Sequence, residues 1–362
     1  MAKTLQTTSR REFLCGLGAV AGLVAVAPCA NAYAFISPSA QNTTLYSSSI
    51  AQAHMGTFVH ITARSTSQSL LDDALERAFT TATVGEKTFT RHNSNGLGGP
   101  LVELNECGIV HNAPSELVDI ILQSQVLSTH TGNAFNAAVA PILTALADYK
   151  VNKVNQLPRS VQKDLSVVAN PQAIVMTGKT IKLRHADMQL TLDGMAKGRV
   201  VDMMAESLEK SGITDYCINT GGDIRVSTST QACAPHNTPK AWNIGIQDAK
   251  APAHHNGVLR LSHGAVATSA NHESLAVHGH EHLVSLQDCG MTAAGLQHQG
   301  KVLSATVVAP NCAQADAMAT AIFVMAQEHG VHKSLAFMDK VHGYACQLQT
   351  EQGLFASKAW PV

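Results

Sequence analysis

The sequence is poor in the residues that nucleic-acid-binding and membrane-spanning proteins need. Aromatic residues make up 4% of its 362 residues, and 25 basic residues are balanced by 26 acidic ones. Base stacking uses aromatic side chains and phosphate backbones attract basic surfaces, so the composition argues against a nucleic acid as partner. Beyond the N-terminal region no apolar run reaches the roughly 20 residues of a membrane span, so no stable span is expected in the mature chain.

The cysteine pattern argues against a thiolate metal site. The chain has eight cysteines, and no two of them form the C-x-x-C pair that is typical of zinc sites. The sequence leaves any disulfide pairing open, because pairing depends on which cysteines meet in the fold.

The N-terminus has the pattern of an export signal. Arg10 and Arg11 follow Ser9, an apolar run extends from Leu14 to Pro28, and Ala30-Asn31-Ala32 offers a cleavage site. This order is typical of a twin-arginine signal peptide, and the apolar run is too short for a membrane anchor.

We therefore predict three segments. Residues 1–32 are a twin-arginine signal peptide, which makes the mature protein periplasmic. Residues 33–50 are rich in Ser, Ala and Asn and form a linker or an N-terminal extension, and residues 51–362 form one domain.

Helical periodicity dominates the first half of this domain, and strand patterns dominate the second. Helices are predicted at residues 70–83, 115–129, 133–149, 158–168, 197–211, 313–328 and 332–338. Strands are predicted at residues 55–63, 172–177, 180–184, 188–192, 216–219, 224–227, 242–247, 258–262, 265–268, 283–286, 303–309 and 343–350. Residues 85–105 are polar and Gly-rich and predict a long loop. This distribution predicts an α+β fold in one compact domain.

A glycine-punctuated turn that opens a helix is the most informative segment. Residues 191–202 read Thr-Leu-Asp-Gly-Met-Ala-Lys-Gly-Arg-Val-Val-Asp. Free backbone N–H groups at a helix N-terminus attract anions. Lys197 in the first turn opposes the helix dipole, which suggests an anionic partner. The segment predicts a phosphate or pyrophosphate site around Gly194 and Lys197.

Two later segments predict an open approach and a pair of oxygen ligands. A buried strand ends in Gly221-Gly222-Asp223, where a ligand can approach the backbone without meeting a side chain. Asp316 and Thr320 are four residues apart on one face of a predicted helix, and their hard oxygen atoms suit Mg²⁺. The structural alternative is an aspartate near the helix start and a threonine that bonds back to the helix.

In this order, the three segments resemble the ApbE family, the FAD:protein FMN transferases. The resemblance extends over nearly all of the chain after residue 50. Its other landmarks are Met55-Gly56-Thr57, Leu104-Asn105, residues 132–142, residues 242–246 and Ala267-Thr268-Ser269. It implies a single ApbE-like α+β domain, with a mixed or antiparallel sheet and flanking helices.

The chain departs from the family pattern at the phosphate segment and looks like a divergent member. The family has an acid before Leu-Gly-Gly, where this chain has Thr191, and Asp193 follows two residues later. Asp193 could replace the missing acid if a strand persists through both residues, because residues two apart on a strand share a face.

The resemblance also implies site residues and a reaction. The implied FAD contacts are Met55, Gly56, Thr57, Asn105, Asp193, Gly194, Lys197, Gly221, Gly222, Asp223, Thr268 and Ser269. Asp316 and Thr320 are implied Mg²⁺ ligands, together with a backbone carbonyl near Gly194 or Ala196. A Thr or Ser hydroxyl of an acceptor protein would attack the FMN-side phosphorus and AMP would leave, with Asp316 or His282 as the base.

Three other functions stay open at this level. A hydrolase would use water in place of the acceptor hydroxyl and release FMN and AMP, as an FAD pyrophosphatase. A non-catalytic periplasmic carrier would bind flavin without reaction. A histidine-rich protein on the same scaffold would bind a transition metal through His278, His280 and His282, which share a face if their segment is a strand.

Overall fold

The structure is a computed structural model that describes residues 45–93, 98–228, 241–270, 283–284 and 301–361. Its strands in chain order are β1 (Tyr46–His54), β2 (Thr57–Ser65), β3 (Ile109–Val110), β4 (Ile174–Thr177), β5 (Thr180–Leu183), β6 (Asp215–Thr220), β7 (Asp223–Ser227), β8 (Trp242–Gln247), β9 (His255–Leu261), β10 (His263–Ser269), β11 (Val302–Ala309), β12 (Ala345–Thr350) and β13 (Gly353–Ala356).

The helices surround these strands. In chain order they are α1 (Gln68–Phe89), α2 (Pro100–Cys107), α3 (Ser115–His130), α4 (Ala140–Tyr149), α5 (Arg159–Val168), α6 (Ala196–Lys210), α7 (Cys312–His329) and α8 (Val331–Met338). Among the residues described, no helix combines the length and the apolar character needed to cross a bilayer.

One eight-stranded antiparallel sheet organises the fold, in the order β1-β2-β6-β7-β10-β11-β12-β13. The strands β3-β5-β4 and the pair β8-β9 form two smaller antiparallel sheets. Helix α7 packs on β10 and β11, α6 packs on α7, and α1 packs on α6. The main core lies between this sheet and these helices. The α+β prediction with a mixed or antiparallel sheet is confirmed, and the sheets are antiparallel.

The prediction of a long loop at residues 85–105 is wrong. Helix α1 continues to Phe89 and α2 begins at Pro100, so the connection is about half as long as predicted. Gly85 lies inside α1 because the helix approaches α6 there, and a Cβ atom at this position would lie 2.7 Å from Cγ2 of Val200. A glycine that suggests a loop in the sequence therefore serves helix packing.

Three other predicted elements differ from the structure. Residues 188–192 do not form a strand, because the N–H of Leu190 donates to the side chain of Asn105 and the N–H of Thr191 donates to the carbonyl of Ala137. The helix predicted at 133–149 begins only at Ala140, and Pro141 lies in its first turn, where the missing N–H is tolerated. Of the strand predicted at 283–286, the two described residues are not in a strand.

The hairpin of β1 and β2 ends in a two-residue turn. Met55 and Gly56 have φ values of 52° and 72°, and His54 is paired with Thr57, as in the tight turns that match strand twist. Glu86 of α1 holds this turn, since its Oε1 accepts the Met55 N–H at 2.8 Å and its Oε2 lies 3.2 Å from Nδ1 of His54. Strand β1, which precedes this turn, begins at Tyr46, within the segment predicted as linker or extension.

Candidate functional site

A cavity of about 380 Å³ opens beside the main sheet. Its walls come from the β1–β2 turn, the segment before α4, the turn before α6, the turn between β6 and β7, strands β8 and β10, and helix α7. Much of the wall is apolar, with the lining residues Phe135, Val139, Leu143, Ile224, Ile244, Ile246, Val266 and Val324. Such a mixture of apolar surface and a few polar groups is typical of small-molecule sites.

A lysine and a buried aspartate form an ion pair at this cavity. Nζ of Lys197, in the first turn of α6, lies 2.6 Å from Oδ2 of Asp223, whose side chain is buried. Burial raises the pKa of Asp223, and the ammonium of Lys197 opposes this. Burial lowers the pKa of Lys197, but Asp223 and Asp316 outweigh it and the net pKa is raised. Lys197 therefore stays charged at neutral pH.

The turn before Asp223 brings the backbone to the cavity wall. Gly221 and Gly222 have φ values of 61° and 104°, which L side chains rarely adopt. A Cβ atom on Gly221 would lie 3.1 Å from Oγ1 of Thr57. Both glycines and Thr57 line the cavity, so a ligand meets backbone rather than side chains there.

Asp316 is a buried carboxyl group that lines the same cavity. Its Oδ2 accepts the N–H of Gly198, in the first turn of α6, at 3.1 Å. Burial and the neighbouring Asp223 raise the pKa of Asp316 to about 8, while Lys197 and the Gly198 N–H oppose the rise. A carboxyl group so poorly solvated gains from any cation that reaches it.

The close approach of α6 to α7 explains this contact. A Cβ atom on Gly198 would lie only 2.4 Å from the carbonyl oxygen of Cys312, so only glycine fits. Asp202, one turn later, accepts the N–H groups of Cys312 and Ala313 at 2.9 and 2.8 Å and pairs with Nη1 of Arg225 at 2.7 Å. Asp202 therefore joins α6, α7 and β7, which carry Lys197, Asp316 and Asp223.

Hydroxyl groups extend the oxygen-rich side of the site. Thr320 lies one helical turn after Asp316 on α7, and its Oγ1 is 3.3 Å from Oγ of Ser269. A Cβ atom on Gly194 would lie 3.2 Å from Oγ1 of Thr320, so glycine leaves this hydroxyl accessible. The nearby Thr268 contacts Oγ1 of Thr306 at 2.9 Å.

The structure places most of the predicted site residues at one cavity. Those that line it are Met55, Thr57, Asp193, Gly194, Lys197, Gly221, Gly222, Thr268, Ser269, Asp316 and Thr320. Asp223 does not line the cavity, but it forms an ion pair with Lys197, which does. Gly56 and Ala196 are not among the lining residues, and His282 with the cluster His278 to His282 lies outside the described residues.

Asn105 and Asp193 make contacts that differ from the flavin contacts that the resemblance implies. The amide of Asn105 bonds to both backbone groups of Leu190, at 2.9 and 2.7 Å, and so supports the segment before the site. Thr191 is buried and accepts the N–H of Asp193, which shows that the turn has already begun. The Asp193 side chain is exposed and accepts from Nε of Arg91 at 3.3 Å. Asp193 thus does not take the place of an acid at Thr191.

Sequence reasoning missed several lining residues. The alternation of β8 buries Ile244 and Ile246 on one face, and this pattern could have identified that wall. Phe135 lies in the segment that was predicted as a regular helix, which hid its approach to the cavity. Glu86 and Arg91 do not line the cavity but bond to the lining residues Met55 and Asp193, and no local signal marks them because these partners are distant in sequence.

Among the described residues, no group of three or more His, Cys, Asp or Glu side chains could hold a metal ion. A cation at this cavity would therefore rely on Asp316, on the hydroxyl of Thr320 and on oxygens of a ligand or water. Mg²⁺ accepts such sites, since it often binds one or two carboxylates together with substrate phosphates. The donor set fits a hard cation and does not fit a soft one.

Comparison with known proteins gives consistent matches. The sequence model of the ApbE family matches residues 55–344. An FAD:protein FMN transferase of Vibrio cholerae is 21% identical over 222 residues, which cover 60% of this chain and 63% of that protein. One from Rhodobacter capsulatus is 27% identical over 222 residues, 59% of this chain and 39% of that protein. The chain thus spans less than two thirds of the length of these curated relatives.

A solved structure shows the same fold. The crystal structure of the ApbE protein of Thermotoga maritima has a TM-score of 0.71 at 20% identity, and the match covers 86% of this chain and 97% of that one.

Proposed function

Because this chain belongs to the ApbE family, we propose that it is an FAD:protein FMN transferase. It would transfer the FMN part of FAD to a Thr or Ser hydroxyl of an acceptor protein and release AMP. The observation that carries this proposal is the cavity itself, which combines apolar walls with Lys197, Asp316 and Thr320. The apolar walls suit a flavin ring, and the polar group suits its diphosphate.

The charge of the site supports a magnesium-dependent reaction. Asp223 already pairs with Lys197 and Asp193 with Arg91, so the described part of the site has little positive charge left to balance the negative charge of a diphosphate. Such a ligand binds stably only if a cation compensates this charge. Asp316 and Thr320 would hold Mg²⁺, which would offset the negative charge that develops in phosphoryl transfer.

The chain's own residues position the reacting groups. Lys197 pairs with a phosphate oxygen while Asp223 fixes its ammonium group. The acceptor oxygen forms a bond to the FMN-side phosphorus, and the bond from this phosphorus to the bridging oxygen breaks, so that AMP leaves with the electron pair. The hydroxyl proton passes to a carboxylate or imidazole base, for which the chain offers Asp316 and His282.

Following AMP separates this function from its alternatives. The mature chain is incubated with FAD and Mg²⁺, with and without a candidate acceptor protein, and acceptor-bound flavin is detected by fluorescence. AMP release that requires the acceptor supports the transferase. AMP without the acceptor identifies an FAD pyrophosphatase, and bound flavin without AMP identifies a carrier.

Lys197→Ala should weaken FAD binding about tenfold and riboflavin binding much less, because the lost contact is to phosphate. Flavin fluorescence titrations with both ligands measure this. Comparing two ligands on one variant also controls for damage to the fold. Lys210→Ala, at the exposed end of the same helix, should bind both ligands normally. Equal losses for FAD and riboflavin would mean that Lys197 only supports the cavity.

We also propose that the chain is exported to the periplasm through its twin arginines, as residues 1–32 predict. Changing Arg10 and Arg11 to Lys should leave unprocessed precursor in the cytoplasm, because the export machinery reads the pair. Immunoblots of cell fractions measure this. Lys3→Gln, which removes a charge but keeps the pair, should be processed normally, and normal processing of the double variant would disprove this route.

A further inference from the structure

An arginine and an aspartate form an ion pair at the edge of the cavity. Asp193 lines the cavity, and its carboxylate accepts from Nε of Arg91 at 3.3 Å. Arg91 lies just after the end of α1, and Asp193 lies in the turn that leads into α6. The Asp193 side chain is 59% exposed and that of Arg91 is 24% exposed. The pair therefore borders both the cavity and solvent.

Arg91 adds a second positive charge next to a cavity whose described lining has few basic groups that could bind an anion. Among the described lining residues, Lys197 is the one basic side chain, and Asp223 already pairs with it. Arg91 contacts a lining residue four positions before Lys197. A diphosphate has two phosphate groups, and Lys197 can neutralise only one of them.

The pair can exchange partners easily. Arg91 contacts Asp193 through Nε, and a partly exposed ion pair of this kind contributes little to stability. The fork of N–H groups on a guanidinium matches phosphate geometry and forms stronger, paired hydrogen bonds there. A phosphate that enters the cavity therefore competes well with Asp193 for Arg91.

We propose that Arg91 is a specificity-determining residue that recognises the diphosphate of a flavin dinucleotide, and that Asp193 competes with the ligand for it. This inference rests on the proposed function only in taking a flavin dinucleotide as the ligand. Riboflavin, which has no phosphate, does not draw Arg91 away from Asp193.

The competition predicts opposite effects for the two partners. Arg91→Gln should weaken FAD binding about tenfold, because a charge-assisted contact is lost. Asp193→Asn should tighten FAD binding about threefold, because Arg91 no longer has a charged competitor. The double variant should bind FAD like Arg91→Gln, since removing Asp193 has no benefit without Arg91. A purely structural pair would instead give losses in both single variants.

Flavin fluorescence titrations of the mature chain with FAD and with riboflavin provide the test. Riboflavin affinity should change less than twofold in all three variants, and Arg91→Lys should recover part of the FAD affinity. Arg77→Gln serves as the matched control, because Arg77 is an arginine of α1 that contacts Ser211 instead. Effects of the same sign for Arg91→Gln and Asp193→Asn, or equal effects on both ligands, would overturn the proposal.

The titrations measure binding and need no turnover. The transferase proposal and the proposal for Arg91 can therefore be disproved independently of each other. If the variants shift FAD affinity in opposite directions but no AMP forms, the transferase proposal fails and Arg91 keeps its role. If AMP and acceptor flavinylation appear but Arg91→Gln binds FAD normally, the transferase proposal holds and Arg91 has no such role.

Discussion

Asp316→Asn is expected to slow AMP release from FAD by at least about 100-fold, a loss of about 2.7 kcal/mol of transition-state stabilisation. The amide keeps the shape of the carboxylate, and its oxygen can still accept the Gly198 N–H. It removes the charge that a hard cation requires. Initial rates of AMP release over a range of Mg²⁺ concentrations measure the effect, and Asp119→Asn on the exposed face of α3 is the control.

The stability of this variant provides an independent check. Burial raises the pKa of Asp316 to about 8, so the folded chain holds a proton that the unfolded chain releases near the ordinary carboxyl pKa of 3.8. The native state therefore loses stability as pH rises between these values, and asparagine avoids this loss. In metal-free buffer at pH 8, Asp316→Asn should unfold at a temperature no lower than the wild type. Unchanged rates with unchanged Mg²⁺ dependence would show that the cation binds elsewhere.

Asp202→Ala is expected to lower the free energy of unfolding by about 3–5 kcal/mol, because the buried charge of Arg225 loses its closer carboxylate and keeps only the more distant Glu209, at 3.9 Å. Asp202 is buried and pairs with Arg225, and it also accepts two N–H groups at the start of α7. Alanine removes all three contacts at once. Denaturant unfolding, analysed with a common slope, measures the loss.

A second carboxylate on the same helix offers a matched comparison. Glu206 pairs with Arg199 at 2.7 Å but is 43% exposed, so Glu206→Ala should cost less than about 1 kcal/mol. The loss of unfolding free energy for Asp202→Asn should lie between those of the two alanine variants, since asparagine keeps an acceptor for one N–H group. If Asp202→Ala costs no more than Glu206→Ala, then α6 and α7 are held together by their apolar contacts and Asp202 is dispensable.

Local patterns in the sequence were sufficient for the α+β class and for the part of the site formed by Lys197, the glycines before Asp223, and Asp316 with Thr320, whereas the resemblance to the ApbE family supplied the other predicted contacts. The periodicity that predicts α6 and α7 depends on residues three and four positions apart, and these are neighbours on any helix. For the same reason Asp316 and Thr320 share a face whatever surrounds them. The glycines before Asp223 likewise predict a close approach of backbone, because no other residue adopts their conformation freely.

Contacts between distant parts of the chain decided the rest. Lys197 meets Asp223, Asn105 supports Leu190, and Arg91 pairs with Asp193 about a hundred residues away, and no local pattern marks these partners. Gly85 suggests a loop by its residue type, yet packing against Val200 keeps it in α1. Residue propensity and hydrophobic periodicity depend on neighbours within one or two helical turns, so they predict secondary-structure elements and which face of each element is buried. Only the packing of those elements selects which buried charge meets which, and that selection sets the charge of the cavity.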